Sequence, residues 1–136
     1  MPGPPPSNNP SNRFDPNEFL SVAKSLDPSG SNAQGFRRTI LGRAYYAAFL
    51  AAREKVRRKF PSYFAGPAGK EAVHLKVQDL LKTWGYSNIA NKLYALGQWR
   101  VKADYFLDGI IELREIDEMI KLAENIMKLV DGISYT

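Results

Sequence analysis

Gly42-Arg43-Ala44-Tyr45-Tyr46-Ala47-Ala48-Phe49-Leu50-Ala51-Ala52-Arg53 is the stretch on which the fold of this chain turns. Its alanines lose no side-chain entropy on becoming helical and hold no neighbour at a distance. It therefore reads as a helix that another helix can approach closely. At about 100° per residue, Ile40, Leu41, Ala44, Tyr45, Ala48, Ala51, Ala52 and Val56 share one broad face. Arg43, Tyr46, Leu50, Arg53 and Arg57 fall together on the opposite side.

Outward from this stretch every signal is helical. Ser31-Asn32-Ala33-Gln34 reads as a capping box that starts the helix, which then runs to about Lys59, ahead of Pro61. Before it, Asp15-Pro16-Asn17-Glu18 opens a short helix ending near Leu26. After it comes a loop, Pro61 to Gly69, whose Gly66-Pro67-Ala68-Gly69 is turn-rich and a weak match to any phosphate-binding loop. Lys70 to Trp84 is a third helix with Val73, Val77, Leu80, Leu81 and Trp84 at apolar spacing and Gly85 as its stop. Ser87-Asn88-Ile89 opens a fourth, which carries Leu93, Leu96, Arg100 and Asp104 on one side. A fifth spans about Ile110 to Val130, with Leu113, Ile116, Met119, Ile120, Ala123, Ile126, Met127 and Val130 facing inward. No stretch alternates as a strand does, and no internal repeat is visible. The expected fold is all-α, an up-and-down bundle of four to five helices over residues 14–136. Residues 1–13, rich in proline, serine and asparagine, are expected to be a disordered leader.

Composition narrows the function without naming it. The chain has 136 residues, 44% hydrophobic and 24% charged, which suits one soluble domain with a core of its own. It has no cysteine and a single histidine, so disulfides and thiolate or histidine-based metal sites are not expected, and no cofactor is implied. No run approaches the ~20 apolar residues that span a bilayer, and the first residues are not patterned as a secretory signal. A cytoplasmic protein without membrane contact is the expectation. The net charge of +5 is compatible with nucleic acid or an acidic protein partner and selects neither.

Three groups of residues could carry chemistry. Arg100 lies on an otherwise apolar side of its helix, with Leu93, Leu96 and Leu107, and its permanent charge needs a carboxylate, a phosphate or water. Asp104 is one turn on. The pair is either a local ion pair or a rotamer lock for an arginine that meets phosphate. His74 is the one side chain with an ordinary pKa near neutrality, and a histidine beside Val73 and Leu75 in a helix is most simply structural. Lysine and tyrosine side chains have reference pKa values near 10, so residues of these types, as at Lys102 and Tyr105, are poor bases unless strongly shifted. Arg43, Tyr46, Arg53, Arg57 and Arg58 form the third group. Arginine interleaved with tyrosine suits a phosphate-and-base surface, a protein interface or a solvated helix face.

Two segments carry a resemblance. Arg43 to Arg53 resembles the signature helix of HEPN domains, approximately Arg-Ala-Tyr-Tyr-Ala-x-Phe-x-Ala-Ala-Arg, and Arg100-Val101-Lys102-Ala103-Asp104-Tyr105 resembles the Arg-x-Lys-Ala-Asp-Tyr segment of one small-protein branch. His74 matches a histidine often found between them, and the resemblance covers about Asn17 to Asp131. It implies a bundle of four to five helices that dimerises across a cleft. Active HEPN ribonucleases follow their arginine, after four to six residues, with histidine. Here those positions hold Tyr105, Phe106 and Leu107, so only Arg100 carries over from that motif. The leading expectation is a non-catalytic, homodimeric module that binds RNA or nucleotide through Arg43, Tyr46, Arg53, Arg57, Arg58, Arg100 and Lys102, or that docks a partner such as a small nucleotidyltransferase. The alternatives are an atypical ribonuclease toxin of a toxin–antitoxin module, using Arg100, His74, Asp104 and Tyr105, and a purely structural adaptor.

Overall fold

Among the described residues five helices, α1 (Asn17–Ser25), α2 (Ala33–Lys59), α3 (Lys70–Thr83), α4 (Ser87–Tyr105) and α5 (Leu113–Asp131), form a bundle in which four pack around α2. A 3-10 turn, Pro61–Phe64, follows α2. The computed structural model describes residues 13–65 and 70–135, with side chains from 73 onward in α3. The leader expected at 1–13 lies outside the described residues except for Arg13, and the turn at 66–69 lies outside them as well. Among the described residues there are no strands.

The alanines of α2 explain its place at the centre. Ala44, Ala47, Ala48 and Ala52 are fully buried, as are Ile40, Leu41 and Val56, and α1, α3, α4 and α5 all pack onto this one helix. Small residues let neighbours close in from several directions, and the larger ones fill the gaps. Leu81, Ile89, Leu93, Leu96, Ile116 and Ile126 complete the core from the outer helices. The side of α2 opposite the alanines is therefore no open stripe. Tyr46 and Leu50 pack half-buried against the core, and the Arg43 guanidinium lies 4.8 Å from the ring centroid of Phe19 in α1.

The starts and stops differ in mechanism. At α1, Asp15 Oδ1 accepts the Asn17 backbone N–H at 2.9 Å, so the aspartate caps the first turn. At α3, Gly85 sits at φ +97°, its N–H donating to Lys82 O while Tyr86 N–H donates to Leu81 O. That reciprocal pair is a Schellman stop, which needs a residue free to adopt positive φ.

Three expectations need correction. The capping box at Ser31–Gln34 does not form: Asn32 adopts a left-handed conformation with no side-chain cap, and Gln34 is used elsewhere. α5 starts at Leu113, capped reciprocally by Glu112 and Glu115. Ile110 and Leu113 are exposed while Ile111 is buried, because an extended segment, not a helical turn, delivers Ile111 to the core. Leu107 lies beyond the end of α4, almost fully exposed, and so does not share a face with Arg100.

The α4–α5 connection is pinned by the first turns of α2. Gln34 donates from Nε2 to Ile111 O (2.9 Å) and accepts Ile111 N–H at Oε1 (3.0 Å). Arg37 donates to Ile111 O and to Pro28 O, both at 2.7 Å. Arg38 donates to the carbonyls of Ala103 and Phe106 at 2.9 Å and of Gly109 at 2.6 Å. Its guanidinium closes the end of α4, where carbonyls lack intrahelical partners.

Candidate nucleic-acid interface

Tyr45 is the pivot on which α2, α3 and α4 bring their polar side chains together. It is buried, with its hydroxyl 2.5 Å from His74 Nδ1. The imidazole of His74 stacks on Phe49, ring centroids 4.0 Å apart. On α4, a Cβ at Gly97 would come within 3.2 Å of Tyr45 Cε1, so the missing side chain makes room for the ring. One turn later the Arg100 guanidinium lies 5.4 Å from the Tyr45 centroid. Burial pushes the Tyr45 phenol far above its usual range, against the pull of Arg100 and with a smaller push from Tyr46. The group is a hydrogen-bonding support at neutral pH and not a base.

Tyr46 takes two cations. Arg100 lies 5.8 Å and Arg43 5.4 Å from its ring centroid. The Arg100 Nη1–Asp104 Oδ2 distance is 3.4 Å, so the expected i,i+4 pair exists but is long. Arg100 Nε is buried and finds no acceptor among the described residues. Arg43 has no carboxylate partner among them. Two guanidiniums against one loosely held carboxylate leave an excess of positive charge at this spot, and a buried donor without an acceptor carries a cost.

Beside these residues a groove of about 370 Å³ opens between α2 and α4, lined by Arg38, Thr39, Gly42, Arg43, Tyr46 and, across from them, Ala103 and Asp104. Gly42 forms part of its floor: a Cβ there would meet nothing within 4 Å, although the backbone is buried.

The remaining candidates lie elsewhere. Lys102 Nζ sits 4.7 Å from the Trp99 centroid and joins none of these contacts. Tyr105, the last residue of α4, is 68% exposed. Arg57 and Arg58 both bond Glu54, and Arg53 is exposed on the wall of a second, larger groove. The eleven-residue span Arg43 to Arg53 therefore serves two separate surfaces. Among the described residues no cluster of His, Asp and Glu could hold a metal ion.

Sequence reasoning missed Gln34, Arg37, Arg38, Gly42 and Gly97. One signal was available: two adjacent arginines in the early turns of a helix oppose its dipole, so something beyond the helix has to hold them there. No described helix is long and apolar enough to cross a membrane. Comparison of the chain with family models, with curated proteins and with solved structures gave no match in any of the three.

Proposed function

We propose that this chain is a non-catalytic HEPN-like helical module that takes the phosphate of an RNA or nucleotide into the α2–α4 groove. It acts as a homodimer and can dock a partner enzyme such as a small nucleotidyltransferase. One observation carries the binding reading: Arg43, on the lining of an open groove, and Arg100, behind that lining, share the ring of Tyr46, with a single weak carboxylate contact between them. Guanidiniums held against aromatic faces keep their outward N–H groups free for bidentate contact with phosphate oxygens. The tyrosine ring next to them offers a base a surface to stack on. Dimerisation is supported by the α4–α5 connection, where Phe106, Leu107 and Ile110 are 58%, 88% and 71% exposed. Contiguous apolar surface of this kind usually marks an interface.

A ribonuclease reading has one observation in its favour, since His74 and Arg100 contact the same tyrosine from two helices. Against it, the Nδ1 face of His74 is engaged by Tyr45, and no histidine follows Arg100 at the spacing the family's nucleases use.

Gly42 supplies the test. Gly42→Ala should leave the fold intact or add about 0.5–1 kcal/mol, since glycine in a helix interior is unfavourable. Gly42→Leu fills the groove from its floor. With a labelled single-stranded RNA, fluorescence anisotropy should show binding by the wild type and by Gly42→Ala and a loss of at least tenfold in Gly42→Leu. Equal affinity in all three would remove the groove from the account. RNA fragments produced by the wild type and abolished in both Arg100→Ala and His74→Ala would install the ribonuclease instead.

A further inference from the structure

The C-terminal half of α2 carries Arg53, Lys55, Arg57, Arg58 and Lys59, with Glu54 as the one acid among them. Glu54 is heavily engaged. It accepts from both terminal nitrogens of Arg13, from Arg57 Nε and Nη2 at 3.2 and 2.9 Å, and from Arg58 Nε at 3.3 Å. Partial burial alone would raise its carboxyl, but the hydrogen bonds from Arg57 and Arg13 hold it below the ordinary carboxylate range. Three guanidiniums around one carboxylate leave two positive charges in excess, and each keeps N–H groups that Glu54 does not use.

Arg13, Arg53, Glu54, Lys55 and Arg58 edge a groove of about 1030 Å³ between α1, α2 and the end of α5. Arg53 stands on its wall, exposed and with no hydrogen bond or ion pair among the described residues. Lys128 joins it from α5, and Phe14 and Tyr135, exposed by 52% and 39%, add aromatic surface. Of the other carboxylates on the lining, Asp15 is held by Asn17 and Glu124 by Lys24 at 3.1 Å, which leaves Asp131. Free cations, surplus charge around a shared carboxylate and aromatic walls in a cavity of ligand size describe a receptor for a phosphate ester on a planar ring system.

We infer that the α1–α2–α5 groove binds a phosphate monoester or diphosphate carried by a base, with Arg53 and Arg58 taking the phosphate and Glu54 occupying the arginines while the groove is empty. The ligand's source is either a free nucleotide or the 5′-phosphorylated end of an RNA. Glu54 acts as an internal stand-in for the phosphate and competes with it. The site is separate from the α2–α4 groove and stands whether or not that groove binds RNA.

The experiment is calorimetric titration of the full chain with ADP, a 5′-phosphorylated decauridylate and the same decauridylate with a 5′-hydroxyl. Arg53→Ala should weaken ADP or the phosphorylated oligomer at least fivefold, and Glu54→Gln should tighten it severalfold. Gly42→Leu, which blocks only the other groove, should leave the preference for the phosphorylated over the hydroxyl oligomer, and the effect of Arg53→Ala on ADP, within twofold. Binding of ADP identifies the free nucleotide. Preference for the phosphorylated over the hydroxyl oligomer, without ADP binding, identifies the RNA end. Thermal melting of each variant checks that it is folded. No binding of either phosphorylated probe, or unchanged affinity in folded Arg53→Ala, would overturn the site. Weaker binding in folded Glu54→Gln would overturn the competing role of the carboxylate.

Discussion

Tyr45 ties three helices through one side chain, and its chemistry makes two outcomes specific. Tyr45→Phe removes the hydrogen bond to His74 and little packing, so it should cost about 0.5–1.5 kcal/mol in denaturant unfolding at pH 7. The second outcome concerns alkaline pH. The phenol is raised in the folded state, so the stability it contributes is fully present below the ordinary tyrosine value, about 10, and is lost as pH rises beyond it. The wild type should lose stability more steeply above pH 10 than Tyr45→Phe, and parallel losses in the two proteins would contradict this. Glu54 runs the other way. Its depressed carboxyl contributes stability above the ordinary glutamate value, about 4.3, that is lost as pH falls. In the sequence, Tyr45 was legible as a core residue from its place among the alanines. Its role as partner of His74 was not, because a contact across 29 positions depends on how α2 and α3 pack.

At the scale of elements, the helices were readable because their punctuation is local. Gly85 stops α3, and Asp15 caps α1, by bonds that reach only a few residues along the chain. The same reasoning failed at Gln34, where Ser31-Asn32-Ala33-Gln34 has the composition of a capping box. The glutamine instead closes two hydrogen bonds with Ile111, 77 residues away, and a tertiary partner outcompetes a local one whenever it also seals a buried segment. α5 was read as starting too early for the same reason: Ile110 and Leu113 fit the helical period, but the clamp from α2 keeps residues 106–112 extended or turned. Arg38→Ala, which removes the bonds to Ala103, Phe106 and Gly109, should cost about 2–3 kcal/mol, given that bonds to charged groups are worth about 1.5–3 kcal/mol and do not add. Hydrogen exchange should show the loss concentrated in residues 103–112. Protection unchanged there would mean the connection is held by packing alone.

For the whole molecule, the bundle follows from where bulk is missing. α2 has its small residues placed so that four helices can surround it, and the charged side chains are driven to its ends and to the seams between helices. Those seams are the two grooves. The sequence showed an Arg/Tyr strip but could not show that α1 lies across it, separating Arg43 from Arg53. The exposed apolar connection at Phe106, Leu107 and Ile110 predicts self-association. Light scattering should give the mass of a dimer at micromolar concentration, and Leu107→Asp with Ile110→Asp should return a monomer. A wild-type monomer would leave that surface to another partner. The central claim, that Arg43 and Arg100 take phosphate together, is tested most directly by the salt dependence of single-stranded RNA binding. Each phosphate contact contributes about 0.7 to the slope of log Kobs against log salt concentration. The Arg43→Ala/Arg100→Ala variant, which gives up the one phosphate the pair shares, should bind more weakly than the wild type with a slope flatter by about 0.7. A variant that keeps the wild-type slope, whatever its affinity, would contradict the claim.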